Sequence, residues 1–480
     1  MKRIGVLVVA YNAASTLAAV LDRIPREFVP RIEKILVTDD SSQDATYLVG
    51  LGYQQTNREL PLEVIRHPRN LGYGGNQRAG YRWAIEHGLD IVVLLHGDGQ
   101  YAPELLPEMV APLERGDADA VFGSRMMTPG EARRGGMPAY KYVGNKILTR
   151  FQNAVAGADL SEWHSGYRAY SVAALAELPL ERNSSGFDFD TQVILQLLEA
   201  RMRIVEIPIP TYYGDEVCYV NGLGYAADVA KAVVRYRAHK MGFGTGETAF
   251  ADDHYAMKHG DETSHGRILD LVGRMPPGRI LDLGCDDGAL GERLRLAGHD
   301  VTGVDRSKHE GVGARLDRFF EADLDEGIPP EVGDGYDIVL AADVLEHVRR
   351  PDVLLREIRG RLAPGGRVVT SVPNFGHWYP RARVASGRFD YDRRGILDES
   401  HLRFFTRRSF ELLATRSGFE VRRREAVGLP LEVVRRGGAA GPSSSSGARL
   451  VEGADRIATD IWPTLFGYQF VYELVPGPGA

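Results

Sequence analysis

Residues 279–288, Arg-Ile-Leu-Asp-Leu-Gly-Cys-Asp-Asp-Gly, form an apolar run that breaks into an acidic, glycine-bearing loop. Such a break suits a nucleotide-type cofactor, because Gly284 and Gly288 let the backbone approach a ligand where a Cβ would obstruct it. Asp305 follows Asp282 by 23 positions and ends the next apolar run, where a carboxylate can grip both ribose hydroxyls. A second group of polar loops lies far upstream, at residues 11–15, 39–44 and 96–101, each directly after an apolar run. In an open α/β sheet ligands bind beyond the carboxyl ends of the strands, so these three loops converge on one edge.

The elements that position them alternate. Residues 4–10, 35–38, 62–66, 91–95 and 120–122 read as strands, and residues 15–23, 76–87 and 103–115 carry apolar residues at helical spacing. This pattern predicts a parallel sheet covered by helices. It lapses after Lys240 and resumes with a helix at 267–274 and strands at 279–283, 300–304, 319–322, 336–341, 367–372, 419–425 and 468–475. The low-complexity stretch 437–447, with serines at 443 to 446, precedes the last of these strands and reads as a disordered insert inside the second domain. The expected organisation is α/β in two domains, 1–240 and 263–480, joined by a linker at 241–262.

The chain has 480 residues, 44% hydrophobic and 26% charged, enough for two proper cores. A formal charge of −7 lacks the basic footprint of nucleic-acid binding, and no nucleic-acid partner is expected. Cys218 and Cys285, far apart and without metal-ligand spacing, point to a reducing compartment, so the cytoplasm is the expected location. No apolar run approaches the roughly 18 to 20 residues needed to span a bilayer. A lipid acceptor would be met at the membrane surface, by peripheral contact at its inner face.

Val8-Val9-Ala10-Tyr11-Asn12, Thr38-Asp39-Asp40-Ser41-Ser42 and His96-Gly97-Asp98-Gly99-Gln100 together resemble family-two glycosyltransferases of the dolichyl-phosphate mannose synthase-like branch. The resemblance spans about residues 2–240 and implies a GT-A nucleotide-diphospho-sugar transferase fold. It places the nucleoside at Asp39 and Asp40 and along the backbone of Ala10, Tyr11 and Asn12. A leaving diphosphate develops charge that a divalent cation commonly neutralises. Asp98 is the implied metal carboxylate, Gln100 a diphosphate contact, and Arg125 and Arg168 are implied contacts to donor phosphate or an anionic acceptor. His96 stands where the family usually has a first aspartate. Imidazole suits manganese better than magnesium, so the metal, Mn or Mg, stays open. Asp188 or Asp190 would serve as general base for a hydroxyl acceptor; a polyprenyl phosphate needs none.

Asp282 through Gly288, including Cys285, resemble the first motif of class I S-adenosylmethionine-dependent methyltransferases, and the resemblance spans about residues 263–476. A dinucleotide reductase would show G-x-G-x-x-G, which the Gly284-x-x-x-Gly288 spacing lacks. The resemblance implies a Rossmann-like seven-stranded fold. It implies S-adenosylmethionine as cofactor, held at Asp282, Gly284, Cys285, Gly288, Asp305, Asp323 after residues 320–322, and Asp343 in Asp343-Val-Leu-Glu-His-Val348. An alcohol acceptor also benefits from a base, for which His347, His377 and His401 are candidates, with His401 first.

The expected protein is a bifunctional transferase. It moves a sugar from a nucleotide-sugar to a polyprenyl phosphate or glycan, and it methylates a glycan or small molecule, by O-methylation. The rival reading keeps the methyltransferase active beside a first domain that binds nucleotide-sugar without turning it over.

Overall fold

A computed structural model describes residues 2–212, 222–246, 263–430 and 446–478. The first sheet contains β1 (Ile4–Ala10), β2 (Ile32–Asp39), β3 (Leu62–Arg66), β4 (Ile91–His96), β5 (Ala120–Ser124), β6 (Arg168–Ser171) and β7 (Ile204–Pro208) in the order β3-β2-β1-β4-β6-β5-β7. Every residue of β1 is buried, as expected of a central strand covered on both faces. Its alternate side chains supply two cores: Ile4, Val6 and Val8 meet Leu21 and Leu106, whereas Leu7 and Val9 meet Tyr81 and Phe189.

One expectation needs correction. The first sheet is mixed, because β6 runs antiparallel to both β4 and β5. This four-residue strand starts with an arginine and does not read as an apolar run, so neither it nor β7 was expected.

The second sheet contains β8 (Arg279–Leu283), β9 (Asp300–Asp305), β10 (Arg318–Glu321), β11 (Tyr336–Ala342), β12 (Leu362–Pro373), β13 (Phe419–Val427) and β14 (Gln469–Pro476). Its order is β10-β9-β8-β11-β12-β14-β13, with β14 antiparallel to β12 and β13. Both domains are therefore α/β with mixed seven-stranded sheets.

The chain divides into two compact units, the first running to Arg237 and the second taking up Ala238–Thr245. The start of the expected linker is thus part of the second unit: Phe243 packs with Ile396 and Tyr468, and the Gly244 N–H donates to Tyr379 Oη at 2.7 Å. Cys218 and residues 247–262 and 431–445 lie outside the described residues, which takes in most of the serine-containing stretch. Ser446 opens the helix Ser446–Ile461.

Candidate functional site

In the first domain three adjacent strands deliver the polar loops. Asn12, after β1, takes a left-handed φ of 50°. Its N–H donates to Ser42 Oγ at 2.8 Å and its Oδ1 accepts from the Gln43 N–H at 2.9 Å. The Ala13 N–H donates to Thr46 Oγ1 at 2.7 Å, so the loops after β1 and β2 are laced together. Asp39 is fully buried and pairs with Arg66 at 3.2 Å. The Asp40 carboxylate accepts from the Leu71 N–H at 2.7 Å, and burial raises its pKa. Neither aspartate caps the following helix, whose N-cap is Ala45. Tyr11 is 39% exposed on the same edge.

At the end of β4, Asp98 accepts from the Gln100 N–H at 3.0 Å. The His96 ring stands edge-on to Tyr73 and Tyr101, with centroids 5.7 and 5.0 Å away. A Cβ on Gly166 would come within 2.6 Å of His96 Cε1, so this glycine is what makes room for the ring. Burial lowers the His96 pKa, against the opposing fields of Asp98 and Asp190, and keeps the imidazole neutral. His96 Nε2 is buried without a hydrogen-bond partner among the described residues. One carboxylate and one imidazole fit a metal that completes its shell with diphosphate oxygens and water.

Two arginines are engaged elsewhere. Arg168 is 1% exposed; its Nε donates to Ser165 O at 2.9 Å, an Nη donates to Trp163 O at 3.1 Å, and its guanidinium lies over Phe122. It also sits 3.8 Å from Asp190, which accepts from Tyr73 Oη at 2.7 Å. These partners hold the Arg168 guanidinium in the core, whereas the resemblance had implied a phosphate contact for it. Arg125, 7% exposed, forms a buried pair with Glu162, which Asn145 supports at 2.7 Å. Asp188 accepts from Gln192 Nε2 at 2.8 Å and stands at the N-cap of the helix Phe189–Glu199.

In the second domain the loops after β10, β9, β8 and β11 line one edge. Gly284 and Gly288 take φ of 68° and 80°, and Asp286 takes 50°, a run of left-handed backbone that curls the loop. Asp305 Oδ2 accepts from the Asp286 N–H at 2.8 Å and Oδ1 from the Ser307 N–H at 3.2 Å, each oxygen retaining capacity for a hydroxyl donor. Asp323 follows β10 beside β9, where the Ala322 N–H donates to Asp305 O at 2.8 Å. Asp343 accepts from Ser371 Oγ and from Gln469 Nε2 at 2.9 Å. A cavity of ≈ 30 Å³ opens among Asp282, Gly284, Cys285, Asp286 and Ala342. Asp282 is 1% exposed, and its Oδ2 has no hydrogen-bond partner among the described residues. Burial, reinforced by Asp305, pushes its pKa up to about 7. An orphaned carboxyl at a cavity edge fits a cationic cofactor such as S-adenosylmethionine.

A family model described as "Glycosyl transferase family 2" matches residues 5–178, and one described as "Methyltransferase domain" matches residues 260–423. An undecaprenyl-phosphate mannosyltransferase of Micrococcus luteus is 30% identical over 209 residues, covering 43% of this chain and 82% of the relative. The chain belongs to glycosyl transferase family 2. A UDP-N-acetylglucosamine–dolichyl-phosphate N-acetylglucosaminyltransferase of Methanococcus voltae is 28% identical over 222 residues, 44% of this chain and 86% of the relative. The second half is a methyltransferase domain. A ubiquinone biosynthesis O-methyltransferase of Aeromonas salmonicida is 36% identical over 114 residues, 22% of this chain and 48% of the relative, so the match spans about half that enzyme.

In the glycosyltransferase domain the structure gathers Ala10, Tyr11, Asn12, Asp39, Asp40, His96, Asp98 and Gln100 at one edge, with Asp190 behind them. Sequence reasoning missed Arg66, Tyr73 and Glu162, because each is an ordinary residue type whose partner is distant in the chain. In the methyltransferase domain Cys285 turns its side chain inward, where a Cβ on Gly303 would lie 2.7 Å from its Sγ, so it offers a cofactor only backbone. His377 is fully buried and caps the helix Trp378–Ala385, accepting from the Tyr379 N–H at 3.3 Å. That role removes it as a base. His401 is buried beside His347, and burial lowers its pKa to about 4, with the neighbouring imidazole adding to the shift.

Proposed function

We propose that the first domain transfers a sugar from a nucleotide-diphosphate donor to a polyprenyl phosphate, and that the second O-methylates a hydroxyl of a glycan or small molecule with S-adenosylmethionine. The observation that carries the first half is the meeting of Asp39, Asp40, His96 and Asp98 at the carboxyl edge of β2, β1 and β4, in a chain whose relatives are named for polyprenyl-phosphate acceptors. An already ionised phosphate oxygen attacks the sugar's anomeric carbon without a base. That agrees with an Asp190 held by Tyr73 and Arg168. When bound, the cation neutralises the departing diphosphate; Asp98 and the His96 Nε2 would hold it, and Asp39 and Asp40 would orient the nucleoside. In the second domain Asp305 and Asp323 would take the cofactor's ribose and adenine, Asp282 its cationic end, and the loops after β8 and β11 would align the methyl with its acceptor.

The test is transfer of labelled sugar from a panel of UDP- and GDP-sugars to undecaprenyl phosphate in detergent, with Mn2+, Mg2+ or chelator. A labelled glycolipid is expected. Donor binding without turnover across the panel would favour the rival reading, in which His96 marks a domain that binds but does not transfer.

A lipid acceptor requires contact with a membrane, and no described helix is long and apolar enough to cross one. The helix Ala139–Ala156 offers a surface instead. Tyr140, Val143, Ile147 and Phe151 are 74, 52, 61 and 38% exposed at helical spacing. Lys141, Lys146 and Arg150 accompany them, and the helix has no acidic residue. An apolar stripe among cations matches an anionic bilayer surface. Flotation with phosphatidylglycerol vesicles should carry the chain, and Ile147→Asp with Phe151→Asp should leave it unbound. Equal flotation of both proteins would remove this helix from the reading.

A further inference from the structure

Three ligand-bearing side chains that the cofactor reading does not use meet on the same edge of the methyltransferase domain. Glu346, His347 and His401 each offer one donor atom, and these atoms lie within 4.8 Å of one another, a trio found nowhere else among the described residues. Glu346 and His347 follow β11; His401 comes from a distant segment that is tied to them. The N–H groups of Leu402 and Arg403 donate to Glu346 O at 2.8 and 3.0 Å. The two imidazoles stand nearly perpendicular, with centroids 4.8 Å apart.

Their orientation supplies a second, independent observation. His347 Nδ1 faces Ser400 O at 3.3 Å and His401 Nδ1 faces Ile396 O at 3.3 Å. A carbonyl can only accept, so each ring holds its proton on Nδ1 and presents the lone pair of Nε2. This is how ligating histidines are oriented, through a carbonyl behind the ring. Glu346 and His401 are 1% and 8% exposed, whereas His347 is exposed, so the trio is walled on one side and open on the other. Asp343, three residues before Glu346, holds a left-handed φ of 55°, a strain that tends to gather at functional loops. Phe375, Phe389, Tyr391 and Phe404 make mutual ring contacts beside His401, with Phe389 and Tyr391 about half exposed, a wall on which a sugar ring can stack.

We propose that Glu346, His347 and His401 hold a divalent cation whose open positions take the oxygens of the methyl acceptor, a pair of adjacent hydroxyls. Two imidazoles and one carboxylate suit zinc, manganese or iron(II) over magnesium or calcium. The cation lowers the pKa of a bound hydroxyl. The hydroxyl releases its proton to solvent, its oxygen attacks the sulfonium methyl, the C–S bond breaks with its electron pair going to sulfur, and a methyl ether and a neutral thioether result. This acceptor assignment rests on the O-methylation reading; the cation site does not.

The test uses the full chain carrying Asp98→Ala, so that the first domain's metal pair is disabled, stripped with chelator and titrated with Mn2+ by electron paramagnetic resonance and with Zn2+ by calorimetry. One equivalent per chain is expected, weakened about 100-fold or lost in His347→Ala and in Glu346→Gln, while S-adenosylmethionine still binds both variants. His347 is exposed, which protects that variant from a folding defect. Absence of binding in the Asp98→Ala chain, or unchanged affinity in both further variants, overturns the site. Methylation of a vicinal diol that persists undiminished after chelation overturns the acceptor's place on the cation. Failure to methylate any hydroxyl compound, with the titration intact, removes the O-methylation reading alone.

Discussion

Asp282 shows what burial does to a single carboxyl at the edge of the second sheet. Its pKa is raised from 3.8 to about 7, first by burial and then by Asp305. The folded chain therefore holds this proton more tightly than the unfolded one. The stability this site contributes is greatest below about pH 4 and is lost as pH rises toward 7, by up to about 4 kcal/mol. Replacing the group with a neutral amide removes that loss. Hydrogen exchange of peptides covering β8 should be slower in Asp282→Asn than in the wild-type chain, with a gap that widens from pH 5 to pH 8. A gap independent of pH would mean that the carboxyl does not titrate there. The same residue shows what sequence can convey: its type and distance from Asp305 mark the loop, but its orphaned oxygen and its shifted proton depend on packing. Arg125 and Arg168 make the converse case. An arginine reads alike whether it faces a phosphate or a buried carboxylate, and only the partner, Glu162 or Asp190, decides.

At the level of elements, the strands legible in the sequence are the apolar parallel ones, such as β1, β4, β8 and β11, because burial on both faces leaves a continuous hydrophobic run. β6 is invisible for the opposite reason. It carries Arg168 into the core, where Ser165 O, Trp163 O and Asp190 satisfy the guanidinium. A buried charge is tolerated only with such partners, and removing one member of a buried pair typically costs about 3–5 kcal/mol. Arg168→Met should therefore lower the melting temperature of the first domain, while donor affinity of the folded protein, measured well below that temperature, stays within about twofold. A large loss of donor affinity at an unchanged melting temperature would restore Arg168 as a phosphate contact. The helix Ala139–Ala156 was likewise not anticipated, since its outward apolar stripe and inward polar residues Asn145, Thr149 and Gln152 invert the usual amphipathic pattern.

For the whole molecule, each sheet has its own cores and its own carboxyl edge, so each chemistry should fail separately. Asp98 is held by the Gln100 N–H and Asp305 by the Asp286 N–H, each within its own sheet's loops, and substitutions at independent sites act additively. Asp98→Ala removes the only carboxylate assigned to the donor's cation and should depress sugar transfer by about 100-fold or more, leaving S-adenosylmethionine affinity unchanged. Asp305→Ala removes hydrogen bonds from ribose hydroxyls to a charged group, worth about 1.5–3 kcal/mol, and should weaken cofactor binding roughly 10- to 150-fold while sugar transfer continues. Calorimetry with S-adenosylmethionine and a radiolabelled transfer assay on both variants would separate the effects. Cross-inhibition, with either substitution silencing both reactions, would break the independence that two self-contained sheets imply. If the reactions also follow one another on a single acceptor, lipid extracts from cells carrying Asp305→Ala should accumulate a glycolipid lighter by one methyl mass. Cells carrying Asp98→Ala should lack the sugar and its methyl together, an asymmetry that two unrelated substrates would not produce.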